Sequence, residues 1–156
     1  MYFSFGSHEG YWCPRLENET FEDYYLEFDH DNTYSSIIMS ERNLVSDETG
    51  PIIENGRRLD LSYDLFKNDS LLFADIPSGK VTLGSRKSLP KVEIAYDDAP
   101  NLVIWTRPGA PFICIEPWYG MPDTEDTNGD LTKKRGIISL EKDGVFSWKH
   151  HISIYE

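Results

Sequence analysis

One glutamate ends an apolar run, FICIEPW at residues 112–118, and it is the first candidate for acid–base chemistry. Side chains alternate between the two faces of a strand, and both faces of this run are apolar until Glu116, which predicts a central strand. Pro117 favours an extended conformation for Glu116 and predicts the end of regular pairing. Partial desolvation beside Trp118 would raise the pKa of Glu116 towards the range of a general base. The alternative is a structural carboxylate that binds backbone amides or an arginine.

A histidine between two glycines is the second candidate. His8 lies in SFGSHEGY at residues 4–11, where Gly6 and Gly10 allow the backbone to bend tightly and to approach a ligand. Histidine is the side chain that most readily donates and accepts a proton near neutral pH, so His8 suits proton transfer. The alternative is a surface-loop histidine without a catalytic task.

Other chemical motifs do not match. His150 and His151 are adjacent in a predicted strand, so they point to opposite faces and cannot share a metal; His150 is predicted to be a core histidine. The calcium-binding EF-hand loop has an aspartate at its first position and a glycine at its sixth. A glycine at the sixth position of the acidic loop 123–130 would place the first position at residue 124, which is a threonine, so the loop does not match. The sequence also lacks phosphate-loop, dinucleotide, nucleophile-elbow and zinc signatures, so we expect no metal and no cofactor.

Composition narrows the classes of partner and compartment. The 156 residues include 27 acidic and 15 basic side chains, giving a net charge of −12. This charge disfavours nucleic acids and anionic membrane surfaces, so we expect neither as a partner. The sequence has no apolar stretch of about 20 residues and no signal-peptide pattern at its start, which predicts a cytoplasmic protein. Its two cysteines, Cys13 and Cys114, are then expected to be reduced thiols, with a disulfide between them as the alternative.

The elements that must position these residues are predicted to be strands. Short apolar or alternating runs recur between turn residues, and no segment keeps a helical period beyond one turn, at 62–67. Asn55-Gly56 predicts a tight hairpin, the segment 108–111 predicts a second turn, and Asp143-Gly144 predicts a third that leads into a long final strand, 145–155. The polar segment 122–132 reads as an exposed loop. The sequence therefore predicts an all-β sandwich or barrel.

A resemblance to a known family rests on several of these segments. They are FSFGSHEGY at 3–11, LVIWT at 102–106, FICIEPWYG at 112–120 followed by Asp123, and Leu131 with KKRGIISL at 133–140. Together they resemble the aldose 1-epimerase (galactose mutarotase-like) family, in its LacX-like branch, over the C-terminal half of the family only. One departure is His8-Glu9, where the family often has His-Pro.

The resemblance implies an antiparallel β-supersandwich, of which residues 1–156 form a single partial domain. It implies that Glu116 is the catalytic base and His8 the catalytic acid, and it makes Asp69 the candidate for an aspartate that contacts sugar hydroxyls. Trp118 is predicted to bind the sugar, because the apolar C–H faces of a sugar pack well against flat aromatic surfaces. The family's N-terminal half, with a substrate-contacting arginine and a second histidine, has no counterpart here, so we expect a fragment.

The expected activity is mutarotation, the interconversion of the α and β anomers of a hexose by acid–base ring opening. It needs no cofactor, and its partner is a small sugar whose identity and phosphorylation the sequence leaves open, as it does the oligomeric state. A non-catalytic carbohydrate-binding protein of the same fold is the alternative. A glycosidase ranks last, because it needs two carboxyl groups across the scissile bond and Glu116 has no partner with a comparable motif.

Overall fold

The structure is a computed structural model that describes residues 1–156. It is built from eleven strands and three short 3-10 turns. In chain order the strands are β1 (Tyr2–Phe3), β2 (Glu9–Trp12), β3 (Tyr24–Met39), β4 (Val45–Asp60), β5 (Leu71–Phe73), β6 (Lys80–Ser85), β7 (Lys91–Ala95), β8 (Asn101–Trp105), β9 (Phe112–Trp118), β10 (Ile138–Ser139) and β11 (His151–Tyr155). The 3-10 turns are Phe21–Asp23, Tyr63–Phe66 and Leu131–Lys133, and none is long or apolar enough to cross a membrane.

Nine strands form one antiparallel sheet in the order β11-β7-β6-β3-β5-β8-β9-β2, with β4 paired along β3. The remaining two strands, β1 and β10, pair with each other. The 16-residue strand β3 joins the two sections of the large sheet, because its first part pairs with β6 and its residue Ile37 pairs with β5. These pairings confirm the predicted all-β, antiparallel fold.

Two apolar clusters lie on the faces of this sheet. The larger one contains 21 buried residues, among them Ile113 and Ile115 of β9. The smaller one contains five buried residues, including Val103 of β8, which stands directly opposite Glu116 of β9. Directly opposed residues of an antiparallel pair share a face, so Glu116 points towards the smaller cluster. The predicted alternation along β9, and its central place between β8 and β2, are therefore confirmed.

The predicted hairpin at Asn55-Gly56 is wrong. Asn55 and Gly56 lie inside β4, and the chain reverses instead at 40–44, where the Asn43 amide donates to the Ser40 carbonyl at 2.9 Å. From the pair Asn32–Gly56 to the pair Tyr34–Ile53, β3 advances by two residues and β4 by three. Asn55 therefore belongs to a β-bulge. Asn55 has a positive φ of 49°, a conformation that occurs both in bulges and in tight turns. This shared conformation explains why the Asn-Gly pair wrongly indicated a turn.

The end of the chain also differs from the prediction. The turn at Asp143-Gly144 is present, since the Gly144 amide donates to the Glu141 carbonyl at 3.1 Å and Asp143 has a φ of 63°. The strand that follows is shorter than predicted and covers only His151–Tyr155. The segment before it packs through aromatic side chains instead, with Phe146 and Trp148 in edge-to-face contact with Phe5. The single helical turn predicted at 62–67 is present as Tyr63–Phe66.

Candidate active site

Glu116 is a buried carboxylate with few partners. The residue is 1% exposed, and its Oε2 atom is buried without a hydrogen-bond partner. Burial, and after it the negative charge of Glu9, together raise the pKa of Glu116 from 4.5 to about 7, although the Trp118 side chain acts in the lowering direction. A carboxylate with this pKa exchanges a proton near neutral pH, which is the property required of a general acid or base.

The loop between β1 and β2 brings His8 to this carboxylate. The Ser7 amide donates to the Pro117 carbonyl at 3.1 Å, and Gly6 forms an isolated bridge with Trp118. His8 Nδ1 consequently lies 3.3 Å from Glu116 Oε1, while 63% of the His8 side chain stays exposed. Two candidates that are 108 residues apart in the sequence therefore meet at one point.

Strand pairing does not end at Pro117, contrary to the prediction. Pro117 still pairs with Leu102, and Trp118 pairs with Asn101 at the last position of β9. A proline lacks an amide donor, but its carbonyl remains available, and this carbonyl holds the His8 loop through Ser7. The proline thus marks the place where a loop replaces a strand as the neighbour of β9.

Gly6 has a role that the sequence did not indicate. A Cβ atom at Gly6 would lie 2.8 Å from Trp118 Cγ, closer than real contacts allow. The glycine therefore permits the backbone to approach the Trp118 indole rather than a ligand. The indole Nε1 donates to the Ser7 carbonyl at 2.9 Å, so Trp118 and the His8 loop fix each other.

A cavity of about 320 Å³ opens beside the Glu116–His8 pair. It brings together all four residues predicted for the site, since His8, Glu116, Asp69 and Trp118 all line it. Its other lining residues are Met39, Asn43, Ser70, Leu72, Val103, Trp105 and Pro122. No lysine or arginine of this chain is among them. The volume is in the usual range for small-molecule sites.

Asp69 enters this cavity because of an unusual backbone. It follows the 3-10 turn Tyr63–Phe66, its amide donates to the Phe66 carbonyl at 3.2 Å, and its φ is 82°. Asn43, from the β3–β4 turn, has a φ of 58° and lies in the same wall. Positive φ values in residues other than glycine are uncommon and concentrate at functional sites. Sequence reasoning missed Asn43, which carries no motif and approaches Asp69 only in the fold, and Ser70, which directly follows Asp69 in the chain.

The aromatic residues near the two motifs have different roles. Trp105 and Trp118 line the cavity, and the Trp105 ring lies edge-to-face with the His8 ring at 6.3 Å. Tyr11 packs against the main core, and Trp12 is 65% exposed at the edge of the sheet.

His150 is half-buried rather than a full core residue; its Nε2 lies 3.3 Å from Glu9 Oε1.

One group of side chains has the donor atoms of a metal site. The ligand atoms of His8, Cys114 and Glu116 all lie within 4.8 Å of one another. Cys114 and Glu116 are two residues apart on β9, so they share a face, and His8 stands over them. Both cysteines of the chain are free, as predicted, and both are buried, but only Cys114 belongs to this group.

Comparison with known proteins gives two sets of relatives. No family model matches the chain. The plasmid and chromosomal LacX proteins of Lactococcus lactis subsp. lactis are each 36% identical over 143 residues, which are 90% of this chain and 48% of each relative. The chain thus spans about half the length of the curated relatives that it matches.

Solved structures agree with the sequence relatives. A galactose mutarotase-like protein from Lactobacillus casei ATCC 334 superposes with a TM-score of 0.83 at 25% identity, over 99% of this chain and 54% of that one. A galactose mutarotase related enzyme from Lactobacillus acidophilus superposes with a TM-score of 0.79 at 28% identity, over 99% of this chain and 50% of that one. By sequence and by fold, this chain belongs to the galactose mutarotase-like (aldose 1-epimerase) family, with LacX among its relatives.

Proposed function

We propose that this protein is an aldose 1-epimerase that interconverts the α and β anomers of a hexose, with Glu116 as the base and His8 as the acid. The observation that carries the proposal is the 3.3 Å contact between His8 and the buried carboxylate of Glu116 at the wall of a cavity. Burial raises the pKa of this carboxylate towards neutral pH, which suits proton transfer. The His8 side chain is exposed and can turn towards a ligand.

The short distance between the two groups suits this reaction. Mutarotation needs one proton removed from the anomeric hydroxyl and one proton delivered to the ring oxygen. Both oxygens are bonded to the same carbon, C1, so an acid and a base that serve them must lie side by side. Nδ1 of His8 and Oε1 of Glu116 meet this requirement.

Each proton has a defined donor and acceptor in the proposed cycle. Glu116 takes the proton of the C1 hydroxyl while His8 gives a proton to the ring oxygen, and the C1–ring oxygen bond breaks to leave an open-chain aldehyde. Rotation about C1–C2 presents the other face of the aldehyde. On closure His8 takes back the proton of the attacking hydroxyl and Glu116 returns its proton to the carbonyl oxygen, which restores both groups.

The cavity wall supplies complementary contacts for a sugar. Trp105 and Trp118 offer flat apolar surfaces for C–H faces, and Asp69, Asn43 and Ser70 offer polar atoms for hydroxyl groups. These are the substrate-binding roles that we propose for them. The proposed ring opening and closure need only a proton donor and a proton acceptor and change no oxidation state, so they require neither a metal nor a redox cofactor. A cytoplasmic location belongs to the same proposal and is tested by cell fractionation.

The test is anomer exchange of glucose and galactose, measured by NMR. Because the chain spans about half of its relatives, the measurement is made with the 156-residue chain and with this chain joined to the part of LacX that it does not match. In the form that is active, Glu116→Gln is expected to slow exchange by about 10²–10⁴-fold, the usual contribution of a positioned acid or base.

A matched variant controls for loss of a carboxylate elsewhere. Glu54→Gln changes an exposed glutamate of β4 outside the cavity and is expected to leave exchange unchanged. Undiminished exchange in Glu116→Gln would refute the proposed mechanism. Sugar binding without faster exchange in either form would instead favour a non-catalytic carbohydrate-binding protein.

A further inference from the structure

The group formed by His8, Cys114 and Glu116 contains one nitrogen, one sulfur and one carboxylate donor. This combination is typical of ligands for zinc and other thiophilic divalent cations. Proton transfer in the proposed mechanism uses His8 and Glu116 but has no need of a thiol. The presence of Cys114 beside them therefore calls for a separate explanation.

We propose that His8, Cys114 and Glu116 form a binding site for a thiophilic divalent cation such as Zn²⁺, and that the bound cation blocks the proton-transfer pair. Binding by these three residues does not depend on the proposed function, but the inhibitory effect rests on it. The cation is a competitor of the sugar in this proposal and not a cofactor of the reaction.

Local geometry supports such a site. The three ligand atoms lie within 4.8 Å of one another, and the exposed His8 side chain is free to close the remaining gap. Oε2 of Glu116 is buried without a hydrogen-bond partner, so it has an unused coordination position. Zinc sites with three protein ligands keep a fourth position for water, and the cavity beside Glu116 has room for one.

The residue opposite Cys114 in the sheet is a glycine, Gly10. Gly10 pairs with Cys114 across β2 and β9, and a Cβ atom there would lie 3.8 Å from Cys114 Sγ. Because glycine has no side chain, nothing from this neighbour covers the sulfur. The cation would form one bond to Sγ and displace the thiol proton to solvent, without any oxidant or reductant.

The proposed competition follows from shared atoms. His8 Nδ1 and Glu116 Oε1 face each other at 3.3 Å, and a cation between them would replace that contact. The imidazole nitrogen and the carboxylate would then be held by the metal, so neither would be able to transfer a proton to the sugar. Sugar and cation should consequently exclude each other.

Cadmium titration is the direct test, because a bond between Cd²⁺ and a thiolate gives an ultraviolet charge-transfer band that does not depend on activity. The unmodified chain is expected to develop this band. Cys114→Ser should abolish it and weaken Cd²⁺ binding at least tenfold, since even loss of an outer partner of a metal ligand costs about 10–100-fold. Cys13→Ser removes the other free, buried cysteine, which lies in the main core, and should leave the band intact.

A second variant protects the test from misfolding of Cys114→Ser. His8→Gln changes a side chain that is 63% exposed, so the fold should persist while Cd²⁺ affinity falls. Absence of the band, its survival in Cys114→Ser, or its loss in Cys13→Ser would overturn the proposed site. In an active form, Zn²⁺ should slow anomer exchange by the unmodified protein and not by Cys114→Ser. If the band appears but no form catalyses exchange, the metal site stands and the proposed function fails.

Discussion

Two glutamates of this protein are almost completely buried, in different surroundings. Glu19 is 5% exposed and Glu116 is 1% exposed. The carboxylate of Glu19 accepts hydrogen bonds from the hydroxyls of Tyr24 and Ser85, the latter at 2.7 Å, and from the Leu16 amide at 3.3 Å. Burial raises the pKa of Glu19, but the nearby hydroxyls of Ser88, Tyr24 and Ser85 and the Leu16 amide outweigh burial and lower the pKa to about 2.

Glu116 has no comparable set of donors. His8 contacts one of its oxygens and the other has no partner, so burial prevails and raises the pKa to about 7. Burial alone therefore does not decide the state of a carboxylate; the number of donors around it does. Glu19 is a fixed anion that holds structure together, whereas Glu116 can take and return a proton. Because burial disfavours the ionised form of Glu116, ionisation of this group lowers the free energy of unfolding by an amount that can be measured.

The largest expected effect concerns the stability of Glu116→Gln. A carboxyl group whose pKa rises from 4.5 in the unfolded chain to about 7 in the fold destabilises the protein as pH rises between these values, by about 3 kcal/mol. Glutamine cannot ionise, so the stability of the variant relative to the parent should rise by about this amount between pH 4 and pH 8. Urea denaturation at both pH values measures it. An unchanged difference would show that Glu116 is not titrating in this range.

Glu19→Gln should behave in the opposite sense. The lowered pKa of Glu19 contributes stability that is present above pH 4.5 and is lost as pH falls towards 2, so the variant should be less stable by about 2–3 kcal/mol at pH 7. The deficit should shrink below pH 3. The same urea series tests this. Equal stability of variant and parent at pH 7 would break the comparison between the two glutamates.

Gly6→Ala tests the close packing of the His8 loop on Trp118, measured by urea denaturation. The added Cβ would lie 2.8 Å from Trp118 Cγ, so the loop or the indole must shift, at a cost of about 1–3 kcal/mol. Tryptophan fluorescence should change with it. Gly50→Ala is the control, because a Cβ there meets nothing within 4 Å. A Gly6→Ala protein as stable as Gly50→Ala would contradict tight packing of the loop on Trp118.

The smallest effect is expected for Asp69→Asn. Asparagine tolerates the positive φ of 82° but lacks the charge, so sugar binding should weaken by about 1 kcal/mol while the fold is kept. Asp75→Asn is a matched control, since Asp75 also has a positive φ, 50°, and does not line the cavity. NMR titration with galactose or glucose measures both. Equal affinity of the two variants would remove Asp69 from the proposed site.

The sequence was informative where the relevant physics is local. Alternation along β9 predicted a central strand and a partly desolvated Glu116, which the structure buries almost completely, because side-chain direction in a strand depends only on position. The same reasoning failed at Asn55-Gly56, since a positive φ suits a bulge as well as a turn and only strand pairing distinguishes them. It also failed beyond Val145, where aromatic packing replaced the expected strand.

By itself, the sequence determined an all-β chain with a proton-transfer glutamate and histidine as candidates, because residue type and strand periodicity carry that information. Only the tertiary structure decided that His8 reaches Glu116, that Cys114 completes a donor group with them, and that Asp69 and Asn43 share their cavity. These contacts join residues from distant segments. Their distances depend on strand order, on register and on the close approach of Gly6 to Trp118, which no local pattern encodes.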